Sequence, residues 1–218
     1  MNEITGVLVD GYVFDIKNHM INDNHFPNTL FPGATFKMVI DDDPANNTNV
    51  EWKCIPEKML AVSEDGTVTF PNVDESCYSQ SFYIFALDKM THEFLSGYTF
   101  TVRRYFKYST EIYHTKEGEL AWITSVKGQL PARRDINDSD LNNYEQYNRR
   151  EVNAGLYQEW GTLANVGWKL DPQLDGHCRI YTTEKENCYC VENNGLDQLT
   201  DSGYIVQAVA FYGEPIAK

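Results

Sequence analysis

Gly155-Leu156-Tyr157-Gln158-Glu159-Trp160-Gly161, followed shortly by Gly167-Trp168, is the stretch on which the reading of this chain turns. Two tryptophans bracketed by three glycines within fourteen residues are costly for a loop to carry. Trp buries a large ring, and Gly permits tight backbone approach and positive φ. Together they predict a compact, loop-rich domain pinned by aromatic anchors. Gly128-Gln129-Leu130-Pro131 lies upstream. Strands are expected downstream at Ile180-Tyr181-Thr182-Thr183 and, last in the chain, at Tyr204-Ile205-Val206.

Before this region the chain reads as all-β. Val7, Val9, Tyr12 and Phe14 are apolar strand positions, with Gly11 interrupting the alternation. Ala34 to Ile40 puts Phe36, Met38 and Ile40 on one face, and Val50, Trp52 and Cys54 share another. The acidic run Asp41 to Asn47 reads as a turn. Glu64-Asp65-Gly66 before Thr67-Val68-Thr69-Phe70 is a hairpin signal. Strands at Ser81–Leu87 and Tyr98–Arg103 complete a pattern of short, regularly spaced strands, which predicts a β-sandwich. The connection Arg103-Arg104-Tyr105-Phe106-Lys107-Tyr108 has no Gly, Pro or Ser run, so a rigid junction is expected rather than a flexible linker. Beyond it, Glu111-Ile112-Tyr113 reads as a strand. Thr115 is placed to cap a helix through Ile123, with Gly128 as its stop, and Ser139-Asp140 opens a second helix carrying Leu141, Tyr144 and Tyr147.

The 218 residues suit one large or two small domains. A net charge of -14 repels phosphate backbones and anionic membranes, which excludes nucleic acid as an expected partner. Hydrophobic content of 42% supports real cores. The N-terminus carries no signal-peptide pattern, and Met1-Asn2-Glu3 runs straight into a strand. A cytosolic protein and a piece of a longer exported protein both fit, and the second is favoured. The five cysteines are Cys54, Cys77, Cys178, Cys188 and Cys190. Cys54 with Cys77, and one pair among the other three, are open pairings.

Two resemblances emerge from these residues. The order G-x-L-P at 128–131, G-L-Y-x-E-W-G at 155–161, G-W at 167–168 and the two late strands resembles the C-type lectin-like tip of the invasin and intimin adhesins. Ile4 to Tyr12, Phe31-Pro32-Gly33-Ala34-Thr35-Phe36, the Trp52 strand, Val62 to Phe70 and Tyr98 to Val102 resemble a bacterial immunoglobulin-like domain. In inverse-autotransporter adhesins that module directly precedes the tip. The resemblance implies a mostly β chain with an α+β tip. An Ig-like β-sandwich over 1–104 is followed by a C-type lectin-like domain over 105–218. It further implies a monomeric, non-catalytic, calcium-independent tip of an outer-membrane adhesin, displayed on the bacterial surface, that binds a host cell-surface or secreted protein. Many relatives join the first helix to the last strand by a disulfide. Ile123 and a position near Ala208 stand there in this chain.

No catalytic pattern stands out. The five histidines are scattered, and neither G-x-S-x-G nor H-E-x-x-H occurs. His177-Cys178 with Cys188-x-Cys190 has an unusual spacing for zinc, and a hairpin disulfide with one spare cysteine is the favoured reading. Asp41–Asp43, Asp135, Asp138 and Asp140 read as solvated turns or helix starts, and Glu214-Pro215-Ile216 and Asp171-Pro172-Gln173 do not fit the calcium-lectin recipe, so no cofactor or metal is expected. Recognition remains. Arg133, Arg134, Asp135, Tyr144, Tyr147, Arg149 and Arg150 concentrate the residue types that dominate protein–protein hot spots. Inward packing of the tyrosines and pairing of the arginines with local acids is the alternative. The segment with Asn193, Asn194, Leu196, Asp197 and Gln198 is the second candidate, because the resemblance places it on the receptor-facing surface. An invasin-like acid for integrin contact has Asp135, Asp138, Asp140, Asp197 and Asp201 as options. A glycan-binding lectin module of a surface or phage protein is the second reading of the whole chain.

Overall fold

The computed structural model describes residues 2–138, 149–169 and 206–216, together with the backbone of strands at 179–181, 187–190 and 196–198. Its first part is a sandwich. One sheet has the order β2-β1-β4-β7-β6, from β1 (Ile4–Val9), β2 (Tyr12–Asp15), β4 (Thr35–Ile40), β6 (Ala61–Val62) and β7 (Thr67–Thr69). The other has the order β5-β8-β9, from β5 (Val50–Ile55), β8 (Ser81–Asp88) and β9 (Phe94–Thr101).

The alternation pattern places these strands closely, and the departures have local causes. Gly11 is not an interruption within a strand. Val9 pairs with Tyr12 across a two-residue Asp10-Gly11 turn in which both residues have positive φ, as a tight hairpin requires. The last strand of the sandwich begins at Phe94 rather than Tyr98, and Gly97 lets the Phe94 ring lie over it. The Asp41-Asp42-Asp43 turn leads into a 3-10 helix, Pro44–Asn49, capped by the Asp43 carboxylate accepting from Ala45 N at 2.9 Å. Asp41 likewise accepts from Asn2 N and Glu3 N, so these acids are occupied in closing the turn.

The 103–108 junction is itself a strand. β10 (Arg104–Tyr113) pairs antiparallel with β14 (Val206–Gly213) and parallel with β3 (Thr29–Leu30), a short strand from the sandwich half. A sheet of order β14-β10-β3 therefore crosses the boundary, which is why the junction carries aromatics and no flexible residues. The last strand starts at Val206. The sequence places it at Tyr204–Val206, and residues 204 and 205 lie outside the described residues.

Among the described residues the second part has three short α-helices: α1 (Lys116–Ser125), α2 (Arg133–Ile136) and α3 (Leu156–Trp160). Thr115 caps α1 as expected, accepting from Gly118 N at 3.1 Å. Gly128 is not the left-handed stop, a role taken by Lys127 at φ 58°. Gly128 is needed for space instead, since a Cβ there would sit 2.5 Å from the Cβ of Ala210 on β14. Ile123 and Ala208, at or near the positions where the resemblance implies a bridge in many relatives, are both buried. A small antiparallel sheet, order β11-β12-β13, is formed by β11 (Arg179–Tyr181), β12 (Asn187–Cys190) and β13 (Leu196–Gln198). Cys54 and Cys77 are free thiols, which corrects the pairing the sequence left open between them. The Cys54 thiol instead donates to Leu60 O, and Cys77 is buried. Cys178 and the side chains of Cys188 and Cys190 lie outside the described residues.

Candidate functional site

The GLYQEWG motif forms α3, and all five of its helical residues are buried. It does not only pin its own domain, as its sequence suggested. It pins the two halves of the molecule to each other. Trp160 lies edge-on to Phe26 and Phe31 of the sandwich half, with ring centroids 4.8 and 5.1 Å apart, and its indole N–H donates to Thr29 O at 3.1 Å. Trp168 packs on Phe31 and stacks on Tyr108 at 4.2 Å. Its indole N–H donates to Gln207 Oε1 at 2.8 Å. One hydrophobic core runs without a break from Val7 and Phe36 through Trp160 to Phe211. The glycines fit this contact: Gly167, at φ +106°, lies against Gly33 of the sandwich so closely that a Cβ on either residue would collide with the other's carbonyl.

Glu159 was not singled out from sequence, and it is the centre of the seam. Its carboxylate is fully buried and accepts from Asn28 N (3.0 Å), Thr29 N (2.7 Å), Thr29 Oγ1 (2.5 Å) and Asn153 N (2.9 Å). Burial pushes this carboxyl above its ordinary value, and the Thr29 hydroxyl and the backbone donors act against that. Two arginines stand near. Arg104 is buried and donates to Glu214 O at 3.0 Å and to Ala154 O at 3.4 Å. Arg150 donates to Gln158 O, Glu159 O and Val9 O, and its guanidinium lies over the rings of Tyr12 and Phe14. Burial pulls both guanidinium groups below their ordinary value, while the Glu159 carboxylate opposes the shift. Nothing local in the sequence distinguishes Glu159 from a surface acid, since its partners Asn28 and Thr29 lie 131 and 130 residues away.

The expected recognition residues divide into three groups. Arg150 is half-buried and donates to three carbonyl oxygens, so it braces the fold. Asp135 is held inside the fold as well. It is 1% exposed and its carboxylate accepts from Ala132 N at 3.0 Å and Ile216 N at 2.9 Å, tying α2 to the chain after β14. A buried carboxylate with these partners cannot serve as the exposed acid of an integrin-type contact.

The second group comprises Arg133, Arg134 and Arg149 and the strand at 196–198. Arg149 is exposed and pairs with Glu151 at 2.5 Å, and half-buried Arg134 approaches Asp138 at 3.6 Å. Half-buried Arg133 donates to Asn137 O. Arg134 and Arg149 thus stand beside local acids, whereas Arg133 and Arg150 donate to carbonyl oxygens. Leu196, Asp197 and Gln198 form β13, at the end of its sheet. The third group, Tyr144, Tyr147, Asn193 and Asn194, lies outside the described residues, as do Asp140, Asp171–Asp175 and Asp201. Among the described residues no three His, Cys, Asp or Glu side chains are grouped to hold a metal ion.

A sandwich joined through one core to a lectin-like half is the architecture that the comparisons with known proteins share. The chain is similar to the invasin/intimin type of adhesin, and its residues 5–101 match the family described as Invasin, domain 4. It is 26% identical over 167 residues to Invasin of Yersinia enterocolitica, a match covering 74% of this chain and 17% of that protein. The chain thus spans about a sixth of the length of this relative. The crystal structure of invasin, described as a bacterial integrin-binding protein, superposes with a TM-score of 0.70 at 21% identity, covering 97% of this chain and 39% of that one. Intimin in its complex with Tir90 gives a TM-score of 0.51 at 12% identity, covering 97% and 96%. Both likenesses establish the shared fold.

Proposed function

We propose that this chain is the host-binding tip of a longer bacterial outer-membrane adhesin, with residues 1–104 as a rigid support and 105–218 as the unit that contacts a host protein. The observation that carries this reading is the seam. Trp160, Trp168 and Glu159 fix the lectin-like half onto the sandwich through one continuous core. A half held so firmly is presented in one orientation, which suits a tip that must reach a receptor. Binding runs through surface complementarity, without catalysis and without calcium. Arg133, Arg134 and Arg149, the Tyr144/Tyr147 segment between them and the strand of Leu196, Asp197 and Gln198 are the proposed contact residues. That invasin is described as integrin-binding and that intimin is seen with Tir90 support a protein partner for this chain too.

The test is binding of the purified chain to cultured epithelial cells. Protease-treated, glycosidase-treated and chelator-treated samples run in parallel. Loss after protease alone is the expected result. Loss after glycosidase or chelator instead moves the protein to the lectin reading.

A further inference from the structure

The sandwich turns an aromatic face to solvent. On the sheet β5-β8-β9, the residues that alternate with the core positions Trp52, Phe82, Ile84 and Phe100 point outward. The register sets Ile55 beside Tyr83 and Phe85 beside Gly97. Ile55, Tyr83 and Phe94 are 54%, 42% and 64% exposed. The Tyr83 and Phe85 rings lie 6.4 Å apart with only 4° between their planes, and Phe94 meets Phe85 edge-on at 6.3 Å. Phe94 reaches that place across Gly97, where a Cβ would lie 3.4 Å from its ring. The strip is thus flat and contiguous. Thr99 stands beside Tyr83, and the Ser81 and Thr101 hydroxyls bond each other at 2.9 Å at one end. At the other end the charges satisfy one another, since Glu51 accepts from Lys53 Nζ at 2.8 Å and from His92 Nδ1.

We propose that this face binds short, uncharged glycans, with the C–H faces of pyranose rings stacked on Tyr83, Phe85 and Phe94 and the sugar hydroxyls met by Thr99 and Ser81. Contiguous exposed apolar surface marks an interaction site, and its size and surroundings select the ligand. Three strands about 4.8 Å apart and about seven residues long give a face of about 350 Å². A stable protein complex buries about 800 Å² on each partner. A second copy is disfavoured further, because each chain carries a net charge of -14 and the two repel. Addition of a peptide strand needs a free sheet edge. Here Asn24 and His25 hold Thr101 and Thr99 along the β9 edge, and Cys54 of β5 donates to Leu60 O. A docked helix needs a groove, and a flat strip offers none. A sugar ring has the complementary shape, an apolar face within a polar rim. The charge of the chain disfavours acidic sugars, which leaves neutral ones. This inference does not rest on the lectin-like half being the protein-binding unit.

The test is titration of the isotopically labelled whole chain with cellotriose, maltotriose and chitotriose, followed by amide NMR shifts with EDTA present. A one-sided site of this size binds weakly, with an expected Kd of about 1 mM. At least one sugar should shift the amides of Tyr83, Phe85, Gly97 and Thr99. Tyr83→Ala and Phe94→Ala should abolish those shifts, and both side chains are exposed, so the variants keep the fold. Tyr83→Phe keeps the ring and should hold the Kd within about twofold. No shift from any of the three sugars at about 20 mM overturns the inference. So do shifts centred on the lectin-like half, or shifts that survive in Y83A. Sedimentation that finds a dimer in wild type and a monomer in Y83A assigns the face to a second copy and overturns it too. Loss of protease-sensitive cell binding in Y83A assigns it to a host protein, with the same consequence. Wild-type chain that fails to bind cells refutes the reading of function, and the sugar titration stands or falls by itself.

Discussion

Two short helices of the second half, α1 and α3, invite comparison. α1 spans ten residues, has a capping threonine, and buries only Glu119 and Ile123. α3 spans five residues, has no side-chain cap, and buries every one of them. By local criteria α1 is the better helix. By tertiary criteria α3 is the more important, since it carries the indole and the carboxylate that join the halves. Helix quality and structural weight are thus inverted. A short helix persists when packing and buried hydrogen bonds replace the local interactions it lacks.

The largest expected effect comes from emptying the seam. Trp160→Ala removes a fully buried ring packed on Phe26 and Phe31 and leaves a cavity between the halves. Such truncations cost about 3–5 kcal/mol. Thermal melting should fall by about 10 °C for a chain of this size. If α1 contributed as much, truncating its buried Ile123 would match this, and a smaller loss for Ile123→Ala sharpens the contrast.

Next comes Glu159→Gln, whose effect depends on pH. Burial raises the folded-state pKa of Glu159 above its unfolded value. Between those two values the folded state binds more protons, so this group's contribution to stability is greatest at low pH and declines as pH rises through the folded pKa. Glutamine does not titrate. The stability gap between wild type and variant should therefore be widest in acid and narrow toward neutral pH, as followed by melting temperature across that range. A gap that widens toward neutral pH would show that the four donors outweigh desolvation and hold the pKa down.

The sandwich was legible because its rule is local. Phe36, Met38 and Ile40 alternate, and the residues opposite them do the same, so pattern alone places the strands. The Asp10-Gly11 turn shows how small the failures were there: one glycine inside an apparent strand is a hairpin. Thr115 was legible for the same reason, because a cap acts within three residues. The seam was not. Glu159 meets Thr29 across 130 residues of chain, and Asp135 meets Ile216 across 81. Nothing near either acid in sequence distinguishes it from a solvated one. Arg150 is a related case: it stands beside Tyr-rich sequence, and its partners include a carbonyl and rings in another part of the fold, which no local pattern reveals.

A smaller effect is expected where α1 meets the sheet. Gly128→Ala would place a methyl 2.5 Å from the Cβ of Ala210, and both that atom and the nearby Tyr212 ring are held in or beside β14. Overpacking of this kind costs about 1–3 kcal/mol. Gly128→Ala combined with Ala210→Gly should recover much of the loss, because the second change removes the atom met. Failure of the pair to recover would mean that the backbone at Gly128, and not the space beside it, is what requires glycine.

The smallest effect belongs to the feature that looked best in sequence. Thr115→Ala deletes the hydroxyl that accepts from Gly118 N, at a cost of about 1 kcal/mol. Water reaches this exposed helix end and takes over the freed donor, which limits the loss, and exchange should rise only in the first turn of α1. Amides at Asp138 and Glu151 should be unaffected, because α1 leans on β14 while these two amides donate to Gln158 of α3. Should T115A instead raise exchange at Asp138 and Glu151, α1 and α3 would belong to one cooperative unit and the contrast between them would collapse.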